Sequence, residues 1–469
     1  MLHTVHKIPG LVLLDHVFTL PLVHGAASGS VRAGGAKGGD AKGRGSATGA
    51  KAAAGDPRTI QVFAREVRSA KDRSPDLGDS KTGPGADARD RPFLVFFQGG
   101  PGFGAPRPME RSGWIGKALE THRVLLLDMR GMGRSTPVTH QSLARFGSPA
   151  ESAEYLSHFR ADSIVRDAEA IRTELASGER WSALGQSYGG FCITTYLSLA
   201  PEGLASVYIT GGLPPLARSA DEVYRATYQR LTKRNERYYD RYPKDAELME
   251  RLCAYLRTHD VSLPGGGPLS VRKLQLLGSR FGMSDGFETV HYLLENAFVE
   301  GASAEDVAFL FLRDFENALS FETHPIYSIL HESIYAQGDA TRWSAERIRG
   351  EHPIFDPSRK VPYFTGEMIY PWMFEEYPRL APLRAAADLL AEKEDWPALY
   401  DPHVLAKNEV PGAAVVYHDD MYVEREFSEE TAASTRGMKT WVTNEYDHNG
   451  LRADGAKILG KLMDMAPAR

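Results

Sequence analysis

A pentapeptide near the middle of the chain constrains the fold most strongly. Residues 185–189 read Gly-Gln-Ser-Tyr-Gly and match the G-x-S-x-G pattern of a nucleophile elbow, in which a serine sits on a strained strand-to-helix turn. An apolar run precedes it at 181–184 and a helix-like segment follows at 190–197, so strand, turn and helix fall in the required order. A serine presented in this way performs covalent acyl transfer. We therefore predict that Ser187 is a catalytic nucleophile.

Two further strand-and-loop segments precede the elbow. Residues 93–97 form a continuous apolar run typical of a buried parallel strand and open into a Gln-Gly-Gly-Pro-Gly loop at 98–102. Residues 123–128 form a second such run, which ends in an Asp-Met-Arg-Gly-Met-Gly-Arg-Ser segment at 128–135. Buried strands and loops that alternate at regular intervals predict a doubly wound α/β sheet.

The loop at 98–102 also fits the second requirement of an elbow, an oxyanion hole. Such a hole takes the backbone N–H of the residue after the nucleophile and another N–H from a loop that follows an earlier strand. We expect these donors to be Tyr188 and Gly100. The alternative interpretation of the loop is an ordinary Gly/Pro turn.

A serine nucleophile needs a base and an orienting carboxylate, which with this type of elbow follow the serine along the chain. His448 lies in a polar loop after the predicted last strand, from which it can reach Ser187. Asp419 and Asp420 follow the predicted strand at 412–418, and only one of them can face His448 because successive side chains leave an extended backbone in opposite directions. The alternative for His448 is a solvated surface histidine.

The loop, the Asp-Met-Arg-Gly segment and the elbow together resemble the prolyl aminopeptidase (proline iminopeptidase) family of α/β-hydrolases, in its longer bacterial form. The commoner family pattern has His, Gln and Trp where this chain has Gln98, Met129 and Tyr188. These departures leave the backbone donors intact. The likeness extends from about Val17 to the C-terminus, apart from two polar insertions. It implies a mostly parallel central sheet flanked by helices, with an inserted, mainly helical cap domain, and it favours Asp420 over Asp419 as the acid.

The cap is expected at 213–375, where amphipathic helical patterns follow the strand-like run at 206–212. An insertion at this point covers the carboxyl edge of the sheet, where ligands bind in α/β folds. Residues 1–212 and 376–469 are then the two parts of the core. Within the core, the low-complexity segment at 26–57 and the polar segment at 70–90 are predicted to be disordered insertions.

An aminopeptidase must hold the free N-terminal amine of its substrate, and a carboxylate does this selectively. Glu332 and Glu367 each lie in an otherwise apolar and aromatic stretch of the predicted cap. The resemblance implies cap glutamates that bind the imino group, whereas the alternative is an internal salt bridge to Arg or Lys. The aromatic residues Phe364, Tyr370 and Trp372 could wall a pocket for a proline ring or simply pack in a core.

Composition limits the remaining possibilities. The formal charge of −6 gives no indication of a nucleic-acid-binding surface. Two cysteines are too few for a disulfide framework or a cysteine-based metal site, which suits a reducing compartment. No stretch reaches membrane-spanning length and none has the form of a signal sequence, so we expect a cytoplasmic location and no membrane partner. No metal or organic cofactor is implied.

The sequence therefore predicts a serine aminopeptidase that releases an N-terminal proline, or a small residue, from short peptides. His448, oriented by Asp420, would deprotonate Ser187, which would form an acyl-enzyme that water then releases. One alternative is an esterase or lactonase on the same fold, because the triad does not distinguish acyl groups. Another is a non-catalytic receptor of this fold that binds a small ligand. The oligomeric state is not indicated.

Overall fold

The computed structural model describes residues 2–25, 59–74, 77, 87–299, 306–319 and 321–468. The segment at 26–57, which the sequence predicts to be disordered, lies outside the described residues. The second such segment, at 70–90, lies partly outside them. In the part of the chain that is described, no helix has the length and apolar character that crossing a membrane requires.

A nine-stranded sheet carries the site described below. Its strand order is β1-β2-β3-β5-β4-β6-β7-β8-β9. The pairs β1–β2, β2–β3 and β3–β5 are antiparallel, and every pair from β5 to β9 is parallel. The predicted α/β fold with a mostly parallel sheet is confirmed. The strands are β1 Leu2–Ile8, β2 Leu11–Pro21, β3 Thr59–Ser69, β4 Phe93–Phe97, β5 Arg123–Asp128, β6 Trp181–Gln186, β7 Leu204–Thr210, β8 Gly412–Tyr417 and β9 Met438–Thr443.

Helices cover both faces of this sheet and fill the segment between β7 and β8. They are α1 Gly113–Ala118, α2 His140–Leu143, α3 Pro149–Ser157, α4 Ala161–Leu175, α5 Tyr188–Leu199, α6 Ala220–Arg241, α7 Pro243–Leu256, α8 Val271–Gln275, α9 Gly286–Glu295, α10 Phe309–Ala318, α11 Pro325–Leu330, α12 Ser344–Arg349, α13 Met373–Glu376, α14 Arg384–Ala391, α15 Pro402–Leu405, α16 Arg425–Ser434, α17 Gly450–Ala453 and α18 Gly455–Met465.

The central strands are apolar at every position because both of their faces are covered. In β4, Phe93, Val95 and Phe97 pack in the hydrophobic cluster that includes α4 and α5. Leu94 and Phe96 point the other way, into the cluster that includes α1 and α18. This alternation across two cores is why β4 reads as an uninterrupted hydrophobic run instead of an amphipathic one.

Between β7 and β8 the described residues form the helices α6 to α15 and four short 3-10 helices. A capping box begins α6, because Ser219 accepts a hydrogen bond from the N–H of Glu222 and the Glu222 carboxylate accepts one from the N–H of Ser219. Near the other end of this segment, α14 packs against α3 of the core. The division into core at 1–212, cap at 213–375 and core at 376–469 stays a prediction that these positions support.

Candidate active site

Ser187 occupies a strained turn between β6 and α5. Its backbone has φ 54° and ψ −124°, a conformation that residues with side chains rarely adopt. The turn requires small neighbours: a Cβ on Gly189 would lie 2.0 Å from the carbonyl oxygen of Phe97, and one on Gly185 would lie 2.4 Å from that of Gly189. This geometry is the one that the G-x-S-x-G pattern predicts.

His448 and Asp420 form a hydrogen-bonded pair at the carboxyl end of the sheet. Asp420 follows β8 and His448 follows β9, and Nδ1 of the histidine lies 2.7 Å from Oδ2 of the aspartate. The other carboxylate oxygen of Asp420 accepts the backbone N–H groups of Tyr422 (2.9 Å) and Val423 (3.2 Å). Both side chains are buried. The carboxylate is thus fixed in place and orients the imidazole.

Asp419 points away from this pair. One of its carboxylate oxygens accepts a hydrogen bond from Arg237 at 2.9 Å, and the other lies 3.0 Å from Nδ1 of His418. The structure therefore brings Asp420, and not Asp419, to His448.

The surroundings of His448 favour its protonated form. Burial by itself lowers the pKa of the imidazole, but the carboxylates of Asp420 and Glu367 and that of Asp447 outweigh it, so the pKa is raised above the ordinary value of 6.5. A hydrogen bond from Nδ1–H to Asp420 leaves Nε2 as the basic nitrogen. His448 is therefore suited to take and return a proton at Nε2.

One cavity of about 680 Å³ contains the sequence-predicted residues Ser187, His448, Gly100 and Glu367 among its walls. Two consecutive glycines after β7 separate the serine from the histidine. A Cβ on Gly211 would lie 3.2 Å from Nδ1 of His448, and one on Gly212 would lie 2.2 Å from the carbonyl oxygen of Ser187. The nucleophile and the base thus border the same short turn.

The Gln-Gly-Gly-Pro-Gly loop packs directly against Ser187. A Cβ on Gly99 would lie 2.9 Å from that of Ser187, and Gly100 lines the cavity. Tyr188 is the first residue of α5, where a backbone N–H has no acceptor within the helix. Within the described ranges, the backbone N–H groups of Tyr188 and Gly100 donate no hydrogen bond. These two donors can therefore serve an oxyanion.

Asp128 holds the two loops beside the elbow together. Its buried carboxylate accepts the N–H of Ala105 and the N–H of Arg134, both at 2.8 Å, and it is also paired with the guanidinium of Arg107. This role of the Asp-Met-Arg-Gly segment was not foreseen from the sequence. The hydrogen bond from Ala105 to Asp128 fixes the loop that carries Gly100.

Glu367 is a partly buried carboxylate in the wall of the cavity. The hydroxyl of Tyr327 donates a 2.7 Å hydrogen bond to Oε1, and Nε2 of His331 lies 3.6 Å from Oε2. Burial acts to raise the pKa of Glu367, but His331, His448 and Tyr327 together bring it below the ordinary value. The carboxylate is therefore ionised at neutral pH and able to bind a cation.

Glu332 is not among the residues that line this cavity. Its two carboxylate oxygens accept the N–H groups of Ser344 (2.9 Å) and Ala345 (2.8 Å), at the start of α12. Burial raises the pKa of Glu332 to about 7, even though those N–H groups act in the opposite direction. The structure thus places Glu332 at a helix start, and its role in substrate binding stays a prediction.

The aromatic walls of the cavity differ from those expected. Phe364, Tyr370 and Trp372 are buried in the large hydrophobic cluster and do not line the cavity. Aromatic residues that do line it are Phe96, Phe103, Trp114, Phe321, Tyr327 and Tyr422.

Sequence reasoning missed three residues around the site. Tyr327 and His331 both contact the carboxylate of Glu367. Their i, i+4 spacing next to Glu332 is the sequence signal that could have indicated them. Tyr422 packs edge-to-face on His448, with ring centroids 4.7 Å apart. The position of Tyr422, two residues after Asp420, does not indicate from sequence that its ring packs on His448. Within the described parts of the chain, no group of three or more His, Cys, Asp or Glu residues could hold a metal ion.

The chain is similar in sequence to known proteins. A family profile described as "alpha/beta hydrolase fold" matches residues 92–247. A proline iminopeptidase from Aeromonas sobria is 50% identical over 409 residues, which cover 87% of this chain and 92% of that protein. The proline iminopeptidase aneH from Aspergillus aculeatus is 33% identical over 88% of this chain and 91% of its own length. A crystal structure of a proline iminopeptidase from Mycobacterium smegmatis is 14% identical, with a TM-score of 0.38, and covers 86% of this chain and 95% of its own.

Proposed function

The chain belongs to the proline iminopeptidase family of α/β-hydrolases, and from that premise we propose that it is a serine aminopeptidase that releases an N-terminal proline from short peptides. The observation that carries the proposal is the single cavity that Ser187, His448 and the ionised Glu367 share. A nucleophile, a base and an anion in one cavity suit a substrate whose reacting carbonyl stands next to a cationic amine.

The proposed chemistry begins at the serine hydroxyl. Nε2 of His448 takes its proton while Oγ of Ser187 bonds to the prolyl carbonyl carbon, and the carbonyl π electrons move to oxygen. The N–H groups of Tyr188 and Gly100 hold that oxyanion. When the tetrahedral intermediate collapses, the C–N bond breaks and His448 returns its proton to the leaving amine. Water, deprotonated by His448, then attacks the ester carbon. The bond from that carbon to Oγ of Ser187 breaks, His448 returns the proton to Oγ, and proline is released.

Recognition of the substrate amine is assigned to the cap acids. The Glu367 carboxylate would pair with the secondary ammonium of the N-terminal proline, a charge-assisted hydrogen bond that a blocked amine cannot make. Glu332 is proposed as a second acid for that amine, ionised as the pH rises through its pKa of about 7. His331, the residue before Glu332, connects the two acids to one side chain: its Nδ1 lies 3.3 Å from the hydroxyl of Tyr224 and its Nε2 lies 3.6 Å from Oε2 of Glu367.

Short peptides are the proposed partners, and the cytoplasm is the proposed location. Two unpaired, buried cysteines, Cys192 and Cys253, support a reducing compartment.

The test uses three arylamides that differ only in the residue to be released. Proline arylamide should be hydrolysed fastest, alanine arylamide more slowly, and N-acetylproline arylamide hardly at all, because acetylation removes the cation that Glu367 binds. A Ser187→Ala variant, purified in the same way, should be inactive on all three arylamides. Failure to hydrolyse the proline compound, or equal hydrolysis of the acetylated one, contradicts the proposal.

A further inference from the structure

Two arginines in the wall of the active cavity have no acidic partner. Arg280 is half-buried and donates one hydrogen bond, to the carbonyl oxygen of Ala318. Arg452, on α17, is exposed, and its guanidinium contacts no acceptor among the described residues. No carboxylate in the described part of the chain lies within salt-bridge distance of either. Two cations in one cavity without counter-charges are available for an anionic ligand.

A neighbouring cavity of about 570 Å³ provides a contrast. It is also lined by arginines, but each of them is paired. Arg234 pairs with Asp447, Arg237 with Asp419 at 2.9 Å, and Arg241 with Glu288 at 2.6 Å. The arginines of that cavity therefore carry paired charges, whereas those of the active cavity do not.

The segments that carry the two unpaired arginines are joined beside the catalytic histidine. The N–H of His448 donates to the carbonyl oxygen of Gly282 at 3.1 Å. The next residue, Asn449, accepts the N–H of Ser284 at 3.1 Å and donates to the Ser284 hydroxyl at 3.0 Å. Three hydrogen bonds thus tie the loop after Arg280 to the turn before α17, with His448 at the junction.

Tyr422 makes a second connection between Arg280 and His448. Its ring packs on His448, and its hydroxyl donates to the carbonyl oxygen of Ser279, the residue before Arg280. The positive charge of Arg280 also acts on the pKa of Tyr422, lowering it against the larger effect of burial. Arg280 therefore stands on the same side of the cavity as the base.

The side of the cavity next to His448 is where the leaving group must be. This step rests on the proposed function, in which His448 hands its proton to the leaving amine. In a dipeptide the free carboxylate carbon lies only about 2.5 Å from that amine nitrogen. A short peptide therefore brings a negative charge close to the imidazole, where a longer peptide brings neutral backbone.

We propose that Arg280 and Arg452 form a subsite for the C-terminal carboxylate of the substrate, so that the chain acts preferentially on dipeptides with a free C-terminus. A guanidinium can bind a carboxylate through two parallel N–H donors. The subsite discriminates on the leaving side of the bond, whereas Glu367 discriminates on the acyl side.

The experiment compares Pro-Gly with Pro-Gly amide, which differ only in the terminal charge. The ratio of their kcat/KM values is measured for the unaltered protein and for Arg280→Gln, Arg452→Gln and Arg237→Gln. Because both substrates are assayed on one preparation, the ratio does not depend on the fraction of folded enzyme. Arg237→Gln is the matched control, since it removes an equal charge from the neighbouring cavity.

We expect the unaltered protein to prefer the free acid by roughly tenfold or more, the size of one charge-assisted hydrogen bond. Each active-cavity variant should lose much of that preference, mainly through a higher KM for Pro-Gly, and Arg237→Gln should keep it. Raising the salt concentration should likewise raise the KM for Pro-Gly more than that for the amide. Equal turnover of the two substrates by the unaltered protein, or an undiminished ratio in both variants, overturns the subsite.

Proline arylamide separates this outcome from failure of the proposed function. If it is hydrolysed while the acid-to-amide ratio is one, the carboxylate subsite is wrong and the aminopeptidase assignment holds. If it is not hydrolysed at all, the assignment itself fails.

Discussion

Nδ1 of His448 lies 2.7 Å from Oδ2 of Asp420, and both side chains are buried at the carboxyl edge of the sheet. The second oxygen of Asp420 is held by two backbone N–H groups, so the carboxylate cannot rotate away. This pair fixes the imidazole with Nε2 as its basic nitrogen, the form that proton transfer from Ser187 requires.

Replacing Asp420 by Asn should abolish most of the activity without unfolding the chain. An amide can donate a hydrogen bond where the carboxylate only accepts, which favours the wrong imidazole tautomer and withdraws the charge that stabilises imidazolium. We expect kcat to fall roughly 10³- to 10⁴-fold. Asp419→Asn is the control, because its carboxylate pairs with Arg237 and His418 instead, and it should stay within about twofold. A comparable loss in both variants would reject the assignment of the acid.

The pH dependence of kcat/KM should have an acidic limb above pH 6.5. The Asp420 and Glu367 charges outweigh burial and raise the pKa of His448, so the histidine remains protonated, and inactive as a base, to a higher pH than an ordinary one. As the pH falls through that raised pKa, activity on proline arylamide should fall with it. Glu367→Gln removes one of the raising charges and should move the limb to lower pH. If the acidic limb of Glu367→Gln lies at the same pH as that of the unaltered protein, a group other than His448 controls it.

The sequence indicates the proposed nucleophile and base better than it indicates their surroundings. Ser187 and His448 each follow a strand whose apolar run is readable, and parallel strands present their carboxyl ends at one edge. Alternation along the chain shows only that one of Asp419 and Asp420 faces the histidine, and the resemblance was needed to choose. The positions of Ser187 and His448 depend on the order of the strands along the chain, which local apolar patterns reveal.

The cap is less predictable because its contacts are tertiary. Glu332 and Glu367 look alike in sequence, since both lie in apolar and aromatic stretches. Nothing local reveals that the N–H groups opening α12 take both oxygens of Glu332, or that Tyr327 and His331 face Glu367. Arg280 and Arg452 are further apart still in the sequence, and the hydrogen bonds around His448 join the segments that carry them.

Glu367→Gln should impair binding of free-amine substrates specifically. The amide keeps the size of the side chain and its contact with Tyr327 but loses the charge that pairs with the substrate ammonium. The KM for proline arylamide should rise about 10- to 100-fold at a pH where His448 is neutral. Glu375→Gln, which changes an exposed cap glutamate paired with Arg384, should leave the KM unchanged. An unaltered KM in Glu367→Gln would remove the acid from the amine site.

Glu332→Gln should change how stability depends on pH. The folded pKa of Glu332 is about 7, above the ordinary 4.5, so the folded state holds its proton more tightly than the unfolded one. The stability contributed by this linkage is fully present below pH 4.5 and is lost as the pH rises to about 7, an effect on the order of 3 kcal/mol. Because Gln does not titrate, urea unfolding at pH 4.5, 6 and 7.5 should show the unaltered protein losing stability relative to Glu332→Gln. Parallel curves for the two proteins would show instead that the N–H groups of Ser344 and Ala345 keep Glu332 ionised throughout this range, in which case the carboxylate would carry its negative charge at every pH where the enzyme works.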